Sequence, residues 1–253
     1  VKTFEIIPQK LFHMSIDDYM KVHGRIRKPF TAETVQYRKY AENWGDIVHL
    51  LVSAPDTPNF VKVMHDKKEK VLVPIPSELL ESSSLIQTLE ELKAIELQHH
   101  SDGATSCSFT TKHFARFLGT GDWLEFYVWN EVKRAKFVDD CQWGYEISSA
   151  ATNELDVVLT YKAQLIFVEC KTDEEPFKGN TKYLDNINNK SEMLGRTYVT
   201  KLFVTNASKN RNGYANFLEQ AKLRRIRVVT AEDLPNIGEI LKQEAINPTY
   251  SRI

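Results

Sequence analysis

At 253 residues with 42% hydrophobic side chains, the chain can bury one large core or two smaller ones. Lys plus Arg number 33 against 34 Asp plus Glu, so no global field attracts nucleic acid and any phosphate contact has to come from local patches. Cys107, Cys141 and Cys170, odd in number and without CxxC spacing, argue against a disulfide framework or a structural zinc site, and no apolar run reaches a membrane span, so a cytoplasmic protein with no membrane partner is expected.

The chain opens on a short strand expected at Phe4 to Ile7. Ser15 followed by Asp18 forms a capping pattern that starts a helix ending before Gly24. Val35, Tyr40, Trp44, Ile47, Val48 and Leu51 recur at three- and four-residue spacing, which suits one helix over 32–51. Pro55 and Pro58 break the chain, and Asn59 to His65 fits either a helical turn or a brief strand. Leu79, Leu80, Leu85, Leu89, Leu92 and Ile95 suit one long helix or two shorter ones over 77–97, and the Asp102-Gly103 turn folds 96–108 into a hairpin. Helices followed by a hairpin give the outline of a winged helix; a helical linker that never touches nucleic acid fits the same pattern, because no face is visibly basic.

A short helix is expected over 109–117, and the glycines at 119 and 121 mark a hinge, so the boundary between domains 1–110 and 111–253 is placed there. Helix 122–135, strands 137–148, 154–160 and 164–170, helix 179–193, strand 200–205, helix 212–223, strand 226–229 and a closing helix over 233–243 follow. This alternation predicts an α/β domain with a mixed sheet covered by helices.

The chemistry gathers in two apolar runs, 153–159 and 165–171, joined by a short polar turn around Lys162. As an antiparallel hairpin with an even loop of two or four residues, they set Asp156 opposite Glu169 on one face; an odd loop separates them. Lys171 projects from the face of Glu169 by the period of the strand. Strands apolar on both sides lie between helices, where two neighbouring carboxylates need a counter-charge, and a divalent cation supplies it. Oxygen ligands favour Mg²⁺ or Mn²⁺, with the Cys170 carbonyl as a further ligand, and Lys171 is suited to orient a water or neutralise transition-state charge. Structural pairing of the two acids with Lys171 and Lys162 is the alternative reading. Glu125, beside the buried stripe of helix 122–135, is a fourth candidate, either as a metal ligand or as a first-turn acid suited to the helix dipole. Lys178, Lys182 and Lys190 on and around the helix after the motif, with Lys209 and Arg211 opening the next, are candidates to follow a phosphate backbone at the mouth of the site or to form a solvated face. Lys222, Arg224, Arg225 and Arg227 form a denser cluster beyond, and the seven histidines show no zinc spacing.

The segments Met14-Ser15-Ile16-Asp17-Asp18-Tyr19, Gly121-Asp122-Trp123-Leu124-Glu125, Asn153-Glu154-Leu155-Asp156-Val157 and Phe167-Val168-Glu169-Cys170-Lys171-Thr172 resemble the CRISPR ancillary nucleases that join a cyclic-oligoadenylate sensor to a restriction-endonuclease-like domain. The resemblance runs from about residue 14 to the end. It implies a winged-helix-like connector and a PD-(D/E)xK nuclease, with Asp156, Glu169 and Lys171 on the motif and Glu125 on the helix acid. It further implies a homodimer that cleaves or nicks DNA or RNA with Mn²⁺ or Mg²⁺. Such a nuclease domain is expected to be restriction-endonuclease-like. The family's sensor is not expected within this sequence, so a cyclic oligoadenylate activator is an expectation for the family. Leu194-Gly195-Arg196 stands where paired glycines are expected, which bears on the packing of strand 200–205. The leading reading is a metal-dependent endonuclease; a non-catalytic nucleic-acid-binding or assembly module on the same fold is the alternative.

Overall fold

The computed structural model describes residues 13–65, 67, 70–82, 84–148, 153–172, 175–179, 181–195 and 199–250; the strand expected at Phe4 to Ile7 and Arg196 lie outside them. The first helix, α1 (Ile16–Val22), starts where the Ser15 hydroxyl accepts the Asp18 N–H at 3.1 Å. A two-residue strand, β1 (Ile26–Arg27), follows. The helix expected over 32–51 is two, α2 (Ala32–Glu42) and α3 (Gly45–Ser53). Packing outweighs propensity at the break: Trp44 turns its ring onto Phe117, with centroids 4.8 Å apart, and Gly45 tolerates the corner.

The ambiguous stretch near Asn59 is a helix, α4 (Thr57–Met64), with Pro58 in its first turn where the missing N–H is harmless. A two-residue strand, β2 (Val73–Pro74), precedes α5 (Ser77–Ser82) and α6 (Ser84–Glu91). Lys93, left-handed at φ 55°, stops α6, so Ile95 starts β3 (Ile95–His99) rather than completing a helical stripe. The expected hairpin is present: β3 pairs with β4 (Thr105–Phe109), and β2 joins to give a three-stranded sheet ordered β2-β4-β3. Helix α7 (Lys112–Gly119) begins later than expected, because Phe109 remains in the strand and Thr111 caps the helix.

The second half is a six-stranded mixed sheet ordered β1-β5-β6-β7-β8-β9. Its strands after β1 are β5 (Asp140–Ser148), β6 (Asn153–Tyr161), β7 (Gln164–Lys171), β8 (Val199–Thr205) and β9 (Ile226–Val229). The β1–β5, β5–β6 and β6–β7 pairs are antiparallel, and the β7–β8 and β8–β9 pairs are parallel. Helices α8 (Asp122–Ala135) and α11 (Ile237–Ile246) cover one face; α1, α9 (Lys182–Leu194) and α10 (Tyr214–Leu223) cover the other. The sheet is thus flanked by helices, as the alternation of elements predicts. β1 and α1, from before residue 110, attach to this sheet, and a run of rings from Trp44 through Phe117 and Phe126 to Trp143 carries one core across that position. Among the described residues no helix is long and apolar enough to cross a membrane.

Gly213 holds the start of α10 against the segment after β7. It is left-handed at φ 87°, and a Cβ there would run into the Phe177 carbonyl oxygen. Gly103 has a similar φ of 85° with nothing within 4 Å of a Cβ. Gly213→Ala is therefore expected to cost about 3 kcal/mol or more in urea unfolding, and Gly103→Ala about 1 kcal/mol. Equal losses would show that the contact with Phe177 does not hold α10 in place.

Candidate active site

The β6–β7 hairpin turns on two residues, Lys162 and Ala163, with Tyr161 opposite Gln164. Both are left-handed, at φ 48° and 61°, the geometry of a type I′ turn formed without the usual Asn or Gly. The even loop fixes the parity. The ladder ends at Val157 opposite Val168, and its continuation sets Asp156 against Glu169.

Pairing on the other side also lapses at this level. β5 and β6 pair at Trp143–Val157 and at Tyr145–Leu155, with Gly144, at φ 57°, between them opposite Asp156. Trp143 and Val157 face the α8 core, whereas Tyr145 and Leu155 face the α9 core, so the alternation of both strands shifts across Gly144 and Asp156. Freed from the ladder, Asp156 accepts the Cys170 N–H on Oδ2 at 2.8 Å through its side chain.

Asp156 and Glu169 are buried, 6% and 4% exposed. The Lys171 ammonium lies among three oxygens: Glu169 Oε1 at 2.9 Å, the Cys170 carbonyl at 2.8 Å and Asp156 Oδ2 at 3.4 Å. Glu169 Oε2 takes a second ammonium, Lys190 of α9, at 2.7 Å. Burial, then the charge of Glu169, raises the carboxyl of Asp156 above its ordinary range, against the pull of Lys171. Burial also pushes Glu169 up, but the ammoniums of Lys171 and Lys190 outweigh it and hold Glu169 below its ordinary range. Lys171 is raised: burial works against its charge, and Asp156 and Glu169 prevail. The Cys170 thiol is raised by burial and by Asp156, so it stays protonated and the residue offers its carbonyl.

Glu125, in the first turn of α8, is half-buried and makes no hydrogen bond or ion pair among the described residues. Burial, then the charges of Asp156 and Asp122, raises its carboxyl well above the ordinary range. Among the described residues no three His, Cys, Asp or Glu side chains form a ready-made metal cage. What converges instead is two carboxylates and a carbonyl around one cation, the ammonium of Lys171, with the unpaired Glu125 near Asp156. An oxygen set of this kind fits Mg²⁺ or Mn²⁺, which bind through one or two carboxylates and keep several waters.

The structure brings the expected residues Asp156, Glu169, Cys170 and Lys171 to one point, and the charge of Asp156 acts on Glu125. The sequence reading sets Lys190 at the mouth of the site as a candidate phosphate contact or solvated cation, and does not pair it with Glu169. The available signal was position: Lys190 follows Ile187 by three residues on the buried stripe of α9. Other cations are used structurally: Arg224 binds Asp185 at 2.9 Å, Arg227 meets Glu244 at 3.3 Å and Lys222 meets Glu219 at 2.6 Å. Lys178, Lys209 and Arg211 are exposed. His99 and His100 bond Thr105 and Ser106 across their hairpin.

The two acids should separate in a stability test. Asp156→Asn keeps an acceptor for the Cys170 N–H. Its wild-type counterpart has a raised folded pKa, so its favourable contribution is present below the unfolded pKa and is lost as pH rises through the folded value. The asparagine variant should accordingly match wild type near pH 4 and melt at the same or a higher temperature at pH 7. Glu169 has a lowered folded pKa, so its contribution is present above the unfolded pKa and fades as pH falls through the folded value. Glu169→Gln should cost about 2–3 kcal/mol at pH 7, from two ammoniums losing their partner, and less at pH 3. Thermal melting from pH 3 to 8 checks both, and identical profiles for the two variants would contradict the electrostatics described.

The profile of the family described as Card1-like, endonuclease domain, matches residues 111–247. In fold the chain is similar to protein VC1899 from Vibrio cholerae, with a TM-score of 0.63 and 20% identity, over 93% of this chain and 62% of that one. It is also similar to Can2 from Sulfobacillus thermosulfidooxidans, solved in complex with cyclic tetra-adenylate, with a TM-score of 0.59 and 17% identity, over 92% and 61%. The chain thus spans about three fifths of the length of these structures. No curated protein matches it in sequence.

Proposed function

The chain belongs to the family of Card1-like endonuclease domains, and from that premise we propose that it hydrolyses phosphodiester bonds of nucleic acid with a divalent cation, Mn²⁺ or Mg²⁺. Asp156, Glu169 and the Cys170 carbonyl would hold the cation, with Glu125 as a further ligand. The observation that carries this reading is the Lys171 ammonium resting on three oxygens from Asp156, Glu169 and Cys170. A bound divalent cation supplies Lewis-acid stabilisation of the phosphoryl oxygens and an acidified water. Lys171, moved off those oxygens, stays within a side chain's reach to orient the attacking water or offset the charge that builds on the phosphorus oxygens. Water's oxygen forms the new bond to phosphorus and gives up a proton to solvent, while the bond to the ester oxygen breaks and that oxygen takes a proton from solvent to leave as a hydroxyl.

The similarity to Can2, seen with cyclic tetra-adenylate, supports placing the chain in CRISPR-linked defence coupled to a cyclic oligoadenylate. A cytoplasmic homodimer acting on DNA or RNA, with the three-stranded sheet and its helices as a winged-helix-like connector, completes the reading. A second reading has an observation of its own: Lys171 and Lys190 already neutralise both acids, as in a non-catalytic binding or assembly module.

Cleavage assays separate the two. The protein is expected to nick or cleave nucleic acid in Mn²⁺ and to be silent in EDTA; activity that survives chelation would sink the metal mechanism. Lys171→Ala should keep or tighten Mn²⁺ binding, because a competing cation is gone, yet slow single-turnover cleavage by about 10² to 10³. Wild-type rates in that variant would remove the role given to Lys171.

Affinity for the cation should also rise with pH. Asp156 and Glu125 both have raised carboxyls and must ionise to act as ligands. Calorimetric titration in buffers of different ionisation enthalpy should therefore show protons released on Mn²⁺ binding, and proton uptake would contradict this ligand set.

A further inference from the structure

Lys190 is not needed to complete the ligand set, yet it takes one of the two oxygens of Glu169. Its side chain is 18% exposed, against 5% for that of Glu169, so its ammonium stands between the buried acid and solvent. The flanking residues Ile187, Ser191 and Leu194 anchor α9 on the sheet. The ammonium lies 5.4 Å from the centre of the Phe167 ring and donates to Glu169 Oε2. Lys171, by contrast, is held by three oxygens.

Charge makes this arrangement unstable toward a metal. Asp156 and Glu169 together carry two negative charges when ionised, and the two ammoniums cancel them. A divalent cation adds two positive charges to a site largely shielded from water and competes directly for Glu169. Buried charge of one sign is unfavourable unless a counter-charge arrives with it. A phosphodiester brings one negative charge, and its pentavalent transition state carries two. With Glu125 also ionised as a ligand, the site is one charge negative at that transition state even with both ammoniums beside it, and losing either would leave it two negative.

We propose that Lys190 is a substrate-phosphate contact: it pairs with Glu169 until a divalent cation takes that carboxylate, and then pairs with the phosphodiester of the nucleic acid. This rests on the nuclease reading above and assigns Lys190 a role separate from that of Lys171. The exchange uses a rotation of one long side chain at the mouth of the site, with α9 fixed.

The test is Lys190→Met, read by binding rather than turnover. Calorimetry without nucleic acid should show Mn²⁺ binding on the order of tenfold tighter than wild type, because a competitor for Glu169 is gone. A fluorescent single-stranded oligonucleotide, as DNA and as RNA, should bind on the order of tenfold more weakly in Ca²⁺, with the slope of log affinity against log salt smaller by about one. In wild-type protein, mass-spectrometric acetylation should find Lys190 more reactive on addition of Ca²⁺ and protected again by the oligonucleotide, a readout that does not depend on the variant folding. Unchanged or weaker Mn²⁺ binding in the variant, unchanged oligonucleotide affinity, or a Lys190 reactivity indifferent to Ca²⁺ would each overturn the exchange. If wild-type protein binds Mn²⁺ and cleaves while any of these holds, this proposal fails alone; if wild-type protein binds no cation, the nuclease reading fails and takes the exchange with it.

Discussion

Asp156 and Glu169 are two carboxylates held within reach of one ammonium in a place with little water, and the surrounding structure is arranged around that repulsion. In water such a pair would cost little; between two helical layers it demands a cation. The chain answers with its own, Lys171, and adds Lys190 on the far oxygen of Glu169. The asymmetry that results is chemical as well as electrostatic. Glu169, with two ammoniums, is held ionised, whereas Asp156, with a share of one and a backbone N–H, is pushed toward protonation. A cation entering this site meets one acid whose charged form is favoured and one whose charged form is disfavoured.

The backbone distortion at Asp156 follows from the same demand. A fully laddered strand would spend the Cys170 N–H on a carbonyl and turn side chains strictly in and out. Here Gly144 takes a left-handed conformation opposite Asp156, the alternation of β5 and β6 shifts, and the aspartate side chain claims that N–H. The residue then sits between layers, close enough to Glu125 on the α8 side and to Glu169 on the α9 side for both charges to act on the local carboxyls.

What was legible in the sequence, and what was not, divides along the same physical line. Parity in a hairpin depends only on an integer, so the opposition of Asp156 and Glu169 and the placement of Lys171 could be read from two apolar runs and an even turn. The covering helices could be read because their apolar stripes are long. The shift at Asp156 could not, because its cause is the conformation of a glycine on the neighbouring strand. The position of Lys190 on the buried stripe of α9 hinted at the site, but its pairing with Glu169 could not be read, because a lysine on a helix faces solvent or an acid according to how that helix lies on the sheet. Trp44 and Ile95 belong to the same class: each continues a helical stripe by spacing, and each is diverted by a partner distant in sequence or by a left-handed residue just before it.

The helices that precede the nuclease half are bound into its chemistry through the start of α8. Tyr37 of α2, 2% exposed, donates its hydroxyl to Asp122 Oδ2 at 2.7 Å, and the Thr120 hydroxyl holds the other oxygen at 2.5 Å. Arg116 of α7 lies 4.3 Å over the Tyr37 ring and 3.6 Å from the same carboxylate. On the opposite side Gly121 approaches Thr172, the residue after Lys171, so closely that a Cβ would lie 2.9 Å from its hydroxyl. The first turn of α8 is therefore clamped between α2 and the end of β7, and Glu125 is in that turn. A shift of the helical half relative to the sheet would move Glu125 relative to Asp156 and Glu169 while leaving those two, fixed by one hairpin, in place. Of the acids in the site, Glu125 is the one whose position depends on both halves of the chain.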